Sequence, residues 1–246
     1  MNKPSLEVCV FSAEAALAAQ NAGADRVELC SSYIEGGLTP SAGTIRMTRK
    51  LLNIECFVMI RPRGGDFYYS EKEFELMHRD IEYAKSCGVD GVVLGALQAN
   101  GHVNISRTRE LVQHASPLKV CFHRAFDLTK DPLQALEDVI VCGCCRILTS
   151  GQKETAIEGL DTISKLAKLS AGRVQIMAGS GVNPKNARKF IAAGVHALHF
   201  SAKTFKESKM KYRKKDVAIM QTGKISDYQL IDIDEIKIMQ MRKELG

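Results

Sequence analysis

Tryptophan is absent from this 246-residue chain, aromatic residues make up only 6%, and no run approaches the roughly 18 apolar residues that a membrane helix requires. These absences argue against a membrane span and against an aromatic platform for stacked bases. Proline is scarce at 6 residues, and the 19 glycines follow no three-residue period, which excludes proline-rich and collagenous classes. What remains is ordinary globular composition, 45% apolar and 25% charged, with enough chain to bury one large core. The opening Met1-Asn2-Lys3-Pro4-Ser5-Leu6-Glu7 sets an acid where a secretory signal would carry its apolar stretch, so a cytosolic protein is expected. The 8 cysteines are then expected to be reduced: core thiols or metal ligands rather than a disulfide framework.

The net charge of +6 suggests nucleic acid until it is located. Seven basic residues (Lys203, Lys206, Lys209, Lys211, Arg213, Lys214 and Lys215) against one acid, Glu207, account for all of it. The rest of the chain is neutral, so no broad footprint for DNA or RNA exists, and any anion site must be local.

Eight short apolar runs recur: Leu6 to Val10, Arg26 to Cys30, Glu55 to Ile60, Gly91 to Leu94, Lys119 to Phe122, Arg146 to Thr149, Val174 to Ala178 and Ala197 to Phe200. Between them lie helical periodicities with start signals: Thr39-Pro40, Asp131-Pro132 and Asn183-Pro184 as cap plus first-turn proline, and Ser70 with Glu73 as a capping box. Gly23, Gly88, Gly143 and Gly194 each fall between a helix and the next even-numbered strand. This regularity predicts a single-domain (β/α)8 TIM barrel over residues 1–246. A doubly wound open sheet is the alternative, and would not need the repeat. Thr204 to Leu230 reads as a long irregular basic loop, followed by a last helix over Ile231 to Leu245.

In such a barrel, function belongs at the carboxyl ends of the strands. Strand one ends Glu7-Val8-Cys9 and strand two Glu28-Leu29-Cys30, so each acid shares a face with its thiol. If that face points inward, two carboxylates and two thiols meet in the upper barrel, and they need partners. Arg61 and Arg63 after strand three, and His123, Arg124 and Asp127 after strand five, are available. Glu7, Glu28, Arg61 and Arg124 read either as a structural ion-pair network or as part of a ligand site. Gly179-Ser180-Gly181 after strand seven suits an anion, although a tight strand-to-helix turn uses glycine anyway. Cys142-Gly143-Cys144-Cys145 is the densest thiol cluster, yet it lies at the opposite end of the barrel and lacks the paired Cys-x-x-Cys spacing of structural zinc sites. His199 reads as a packed or hydrogen-bonded barrel residue rather than a ligand.

The runs Leu6-Glu7-Val8-Cys9-Val10, Ala22 to Cys30, Gly36-Gly37-Leu38-Thr39-Pro40-Ser41, Met59 to Phe67, Phe122-His123-Arg124-Ala125-Phe126-Asp127 and Ile147-Leu148-Thr149-Ser150-Gly151 resemble the CutC copper-homeostasis family, over residues 5 to about 203. The resemblance implies a cytosolic barrel, often a homo-oligomer, with Cu(I) held by cysteines. Cys30 carries over directly in its Glu-Leu-Cys motif, and Cys9 follows from the neighbouring strand. Two functions are therefore weighed. One is Cu(I) binding by Cys30 and Cys9, with soft thiolates suited to that ion. The other is an enzyme on a small anionic or phosphorylated metabolite, with Glu7, Glu28 or His123 as acid or base and Arg61, Arg63, Arg124, Asp127, Gly179, Ser180 and Gly181 around the anion. The partner expected is thus a copper ion or such a metabolite, with no nucleic acid, membrane or organic cofactor.

Overall fold

The computed structural model describes residues 3–214, 216–217, 219 and 225–246. Eight parallel strands close into a barrel in sequence order: β1 (Ser5–Val10), β2 (Arg26–Leu29), β3 (Glu55–Met59), β4 (Gly91–Leu94), β5 (Lys119–Phe122), β6 (Arg146–Thr149), β7 (Gln175–Ala178) and β8 (Ala197–Phe200). Helices α1 (Ala13–Asn21), α2 (Ala42–Leu51), α3 (Glu71–Ser86), α4 (Ile105–Ala115), α5 (Pro132–Cys142), α6 (Leu160–Ser170) and α7 (Ala187–Ala192) fill the crossovers. This is the (β/α)8 TIM barrel, and β8 closes on β1 with Glu7 opposite His199. Among the described residues, no helix is long and apolar enough to cross a membrane.

Strand alternation sorts the side chains into two cores. Leu6, Val8 and Val10 of β1 face outward with the helix-packing residues, while Cys9, Phe57, Met59, Val93, Cys121, Leu148, Met177 and Ala197 fill the inside of the barrel. Phe57 can cross the barrel because Gly91 stands opposite: a Cβ there would lie 2.5 Å from its ring. Burying one such ring is worth roughly 1.5–3 kcal/mol.

Local signals decide most helix starts. Asp131 caps α5 with Pro132 in its first turn, and Ser70 and Glu73 form the capping box of α3. Gly23, Gly88, Gly143 and Gly194 all carry positive φ (+98°, +72°, +87° and +83°), where a Cβ would be strained.

Four expectations are corrected. Ser41, not Thr39, caps α2, and the Thr39 hydroxyl instead accepts the Arg61 N–H at 2.9 Å. Asn183-Pro184 opens a turn, with Lys185 N–H bonded to Asn183 Oδ1, and α7 begins only at Ala187. The stretch after strand eight is not irregular throughout: β9 (Lys203–Glu207) pairs antiparallel with β10 (Gln229–Ile233), Phe205 opposite Ile231. The last helix, α8 (Glu235–Leu245), consequently starts later than Ile231, with Asp234 accepting from Lys237 N–H as its cap. Ile231 to Asp234 alternate apolar and acidic, a two-residue period that belongs to a strand. Lys215 lies outside the described residues.

Candidate metal centre

The pairing of β1 with β2 sets Glu7 beside Arg26 and Cys9 beside Glu28, all facing inward, with Cys30 one step beyond the end of β2. The Cys9 and Cys30 sulfurs are 3.8 Å apart, and Cys30 Sγ is 3.5 Å from Glu28 Oε2. Donor atoms of Cys9, Glu28 and Cys30 all lie within 4.8 Å of one another, a spacing that one ion can span. Glu7, Glu28 and His199 form a second such trio that shares Glu28.

His199 organises the cluster. Its Nδ1 lies 2.8 Å from Glu7 Oε1 and its Nε2 3.7 Å from Glu28 Oε2. Glu7 is in turn bonded by the Arg26 Nε–H, and Arg26 reaches Glu55 at 3.1 Å. Burial pushes the Glu7 carboxyl up, but Arg26 and His199 outweigh it and hold it well below the usual range. For the Cys9 thiol, a hydrogen bond from Cys30 acts most strongly, burial opposes it, and His199 helps bring the pKa down to about 6. Cys30 moves the other way, raised by its bond to Cys9 and by burial. Burial likewise raises Glu28, so that carboxyl is held toward its neutral form. Burial alone would lower His199, but Glu28, Cys9 and Glu7 raise it well above the ordinary imidazole value. The two thiols are thus driven apart, Cys9 toward the thiolate and Cys30 toward the protonated thiol, beside an imidazole held toward its charged form.

The arginines nominated from sequence lie elsewhere. Glu7 draws its partners from Arg26 and His199 rather than Arg61 or Arg124, because Arg26 is its register neighbour. Arg61 sends NH1 to the Glu35 and Gly37 carbonyls (2.6 and 3.0 Å) and NH2 to the Gly65 carbonyl (2.8 Å). Arg63 pairs with Glu73 and Asp66, and Arg124 with Asp127. Asp127 also accepts from Thr149 Oγ1 and from the Ser150 and Gln152 N–H groups, tying the β6 loop to the turn after β5. His123 is buried beside Phe67, with Nδ1 accepting from Ala125 N–H.

The β7 loop serves the cluster through a missing side chain: a Cβ on Gly179 would lie 2.5 Å from Leu148 and 3.2 Å from His199. Ser180 donates to the Glu154 carbonyl, and the Gly181 carbonyl accepts from the side chains of Asn183 and Asn186. Cys142, Cys144 and Cys145 belong to neither trio of donor atoms found among the described residues. In the basic segment, Lys203 stands 3.9 Å from the Tyr33 ring centroid, and Lys206 and Arg213 pair with Asp232 and Glu207.

Sequence reasoning missed Arg26, whereas His199 is the hydrogen-bonded barrel residue it was expected to be, held by Glu7. Arg26 sits at the amino end of its strand, where a stabilising role is the default, and only the β1–β2 register reveals its target.

A family model described as the CutC family matches residues 4–204. The chain is 45% identical to a CutC family protein of Chromobacterium violaceum, over 98% of this chain and 97% of that one. It is 43% identical to the human copper homeostasis protein cutC homolog, over 95% of this chain and 86% of that one. A CutC crystal structure from Streptococcus agalactiae superposes with a TM-score of 0.77 at 32% identity, covering 80% of this chain and 98% of that one. A thiamine phosphate pyrophosphorylase from Pyrococcus furiosus shares the fold alone, with a TM-score of 0.60 at 16% identity. The chain belongs to the CutC family.

Proposed function

We propose that the protein binds Cu(I) as cargo through Cys9 and Cys30, and serves copper homeostasis in a reducing, cytosolic compartment. The observation that carries this reading is the pair of inward thiols 3.8 Å apart at the upper end of the barrel. Thiolate sulfur is the soft donor that selects Cu(I) over harder divalent ions. The strand register adds a second reason. Cys9 stands opposite Glu28, and Cys30 lies two residues further on. Across parallel strands about 4.8 Å apart, an offset of two residues at about 3.3 Å each puts the Cα atoms roughly 8 Å apart. That is at or beyond the limit for a disulfide without backbone movement, so the pair suits a bridging ion better than an S–S bond.

Metal binding requires the thiols to shed their protons. Cys9 is poised to do so near neutral pH, and the Cys30 thiol, raised by burial and by its bond to Cys9, must give up its proton as the ion binds. The names of the human and streptococcal relatives agree with this reading. The alternative, an enzyme for an anionic metabolite, draws less support, because Arg63 and Arg124 are both committed to carboxylates of the protein itself.

Titrating the reduced protein with Cu(I) against a chromogenic chelator tests the proposal. The expected result is stoichiometric binding that weakens by about 100-fold or more in Cys9→Ser and in Cys30→Ser, beyond what is lost when a group that only orients a ligand is removed. Weak binding that neither substitution alters would overturn it.

A further inference from the structure

A pocket of about 480 Å³ opens at the amino end of the barrel, away from the thiols. Its volume falls within the roughly 300–1,000 Å³ of small-molecule sites. Lys3, Ser5 at the start of β1, Gln175 at the start of β7 and His196 just before β8 line it, with Ile191 and Val195 as an apolar wall. Barrel enzymes keep their chemistry at the other end, and none of these residues belongs to the thiol cluster.

The polar side of the pocket offers donors only. Gln175 Oε1 is held by Arg146 Nε and NH2, at 3.0 and 2.7 Å, and because a guanidinium can only donate, the amide is fixed with its NH2 as the free group. His196 Nδ1 accepts the Ile176 N–H at 3.1 Å, which puts the ring proton on Nε2. The Lys3 ammonium and the Ser5 hydroxyl complete the set. Among the described residues none of these four groups has a protein partner, and no carboxylate lines the pocket. Behind Gln175, Arg146 is 5% exposed, makes no ion pair among the described residues and leaves NH1 buried without a partner.

Outside Lys203 to Lys215 acids and bases balance along the chain, so a lining free of acids is a local property of this pocket. Four donors, with one cation among them and a second behind, favour an oxyanion, whose oxygens accept from several donors at once. Ile191 and Val195 add apolar surface that a bare inorganic ion would leave unused. We propose that the pocket binds a small organic oxyanion, with its carboxylate or phosphate head on Lys3, Ser5, Gln175 and His196 and an apolar body against Ile191 and Val195. The site is independent of copper, and it stands whether or not Cys9 and Cys30 bind a metal.

The test uses the full-length, reduced, copper-free protein, with benzoate and phenyl phosphate as probes, benzyl alcohol as the neutral control and chloride to hold the ionic strength. At least one anion is expected to shift the His196 ring and Gln175 side-chain amide signals saturably in NMR spectra, while benzyl alcohol leaves them in place. Gln175→Glu keeps the oxygen that Arg146 grips and replaces the NH2 donor with a second carboxylate oxygen. Lys3→Met removes the charge from an exposed side chain, so it keeps the test open even if Gln175→Glu fails to fold. Each should weaken anion binding by about tenfold or more, read at His196. No saturable response to either anion overturns the site. So does an equal response to benzyl alcohol, or anion binding that either folded variant leaves unchanged.

Discussion

Gly37 packs directly on Cys30: a Cβ built at residue 37 would stand 3.1 Å from the thiol sulfur and 3.6 Å from the Met59 methyl. The Arg61 guanidinium holds this loop in place through the Gly37 carbonyl, so the backbone itself forms the wall of the thiol site. Gly37→Ala should therefore act twice. At φ +99° it strains the backbone, at a cost of about 1–3 kcal/mol, and it also displaces the Cys30 sulfur. Gly36→Ala is the control, since it has φ +78° but only Arg61 NH1 nearby, at 3.8 Å. We expect both to lower stability in denaturant, and only Gly37→Ala to weaken Cu(I) binding, by about tenfold or more. Equal Cu(I) affinities for the two variants would show that the wall does not position the thiol.

His199 should be what keeps Cys9 reactive alongside its bond from Cys30. With its pKa near 6, Cys9 is mostly thiolate at neutral pH, whereas an ordinary thiol titrates near 8.5. His199→Gln keeps a polar side chain beside Glu7 but removes the positive charge. The midpoint for iodoacetamide modification of Cys9, followed peptide by peptide in a mass spectrometer, should rise toward the ordinary range. At pH 7 the rate should fall by roughly tenfold. An unmoved midpoint would assign the activation to Cys30 alone, which the same measurement on Cys30→Ser checks.

The barrel was legible because its signals are local and repeated. Eight apolar runs and four glycines with positive φ, such as Gly143 at the end of α5, appear at their expected places. The β9–β10 ribbon was not, since Phe205 and Ile231 meet across more than twenty residues of chain with no tight-turn motif to announce the pairing. The inward Glu7-x-Cys9 and Glu28-x-Cys30 faces follow from the two-residue period alone. Their partners do not, because Arg26 and His199 reach Glu7 only through the register of β1 with β2 and β8, and that closure is a property of the whole barrel.

His123 makes stability depend on pH with a defined sign. Burial, aided by the Arg61 charge, lowers its pKa to about 3, whereas the unfolded chain titrates near 6.5. Between those values the unfolded state binds the extra proton, so stability rises with pH there. His123 therefore contributes fully above about pH 6.5, and its contribution is lost as the pH falls toward 3, at about 1.4 kcal/mol per unit. His123→Asn keeps an oxygen acceptor for the Ala125 N–H and removes the titrating ring. Urea unfolding from pH 7.5 to 4.5 should then show wild type losing about 2–3 kcal/mol more than the variant. Taking the difference cancels the other carboxylates and histidines, including His199, whose raised pKa has the opposite sign. Parallel stability curves for the two proteins would mean that the buried imidazole is protonated as readily as an exposed one, and that Arg61 and burial do not set its charge.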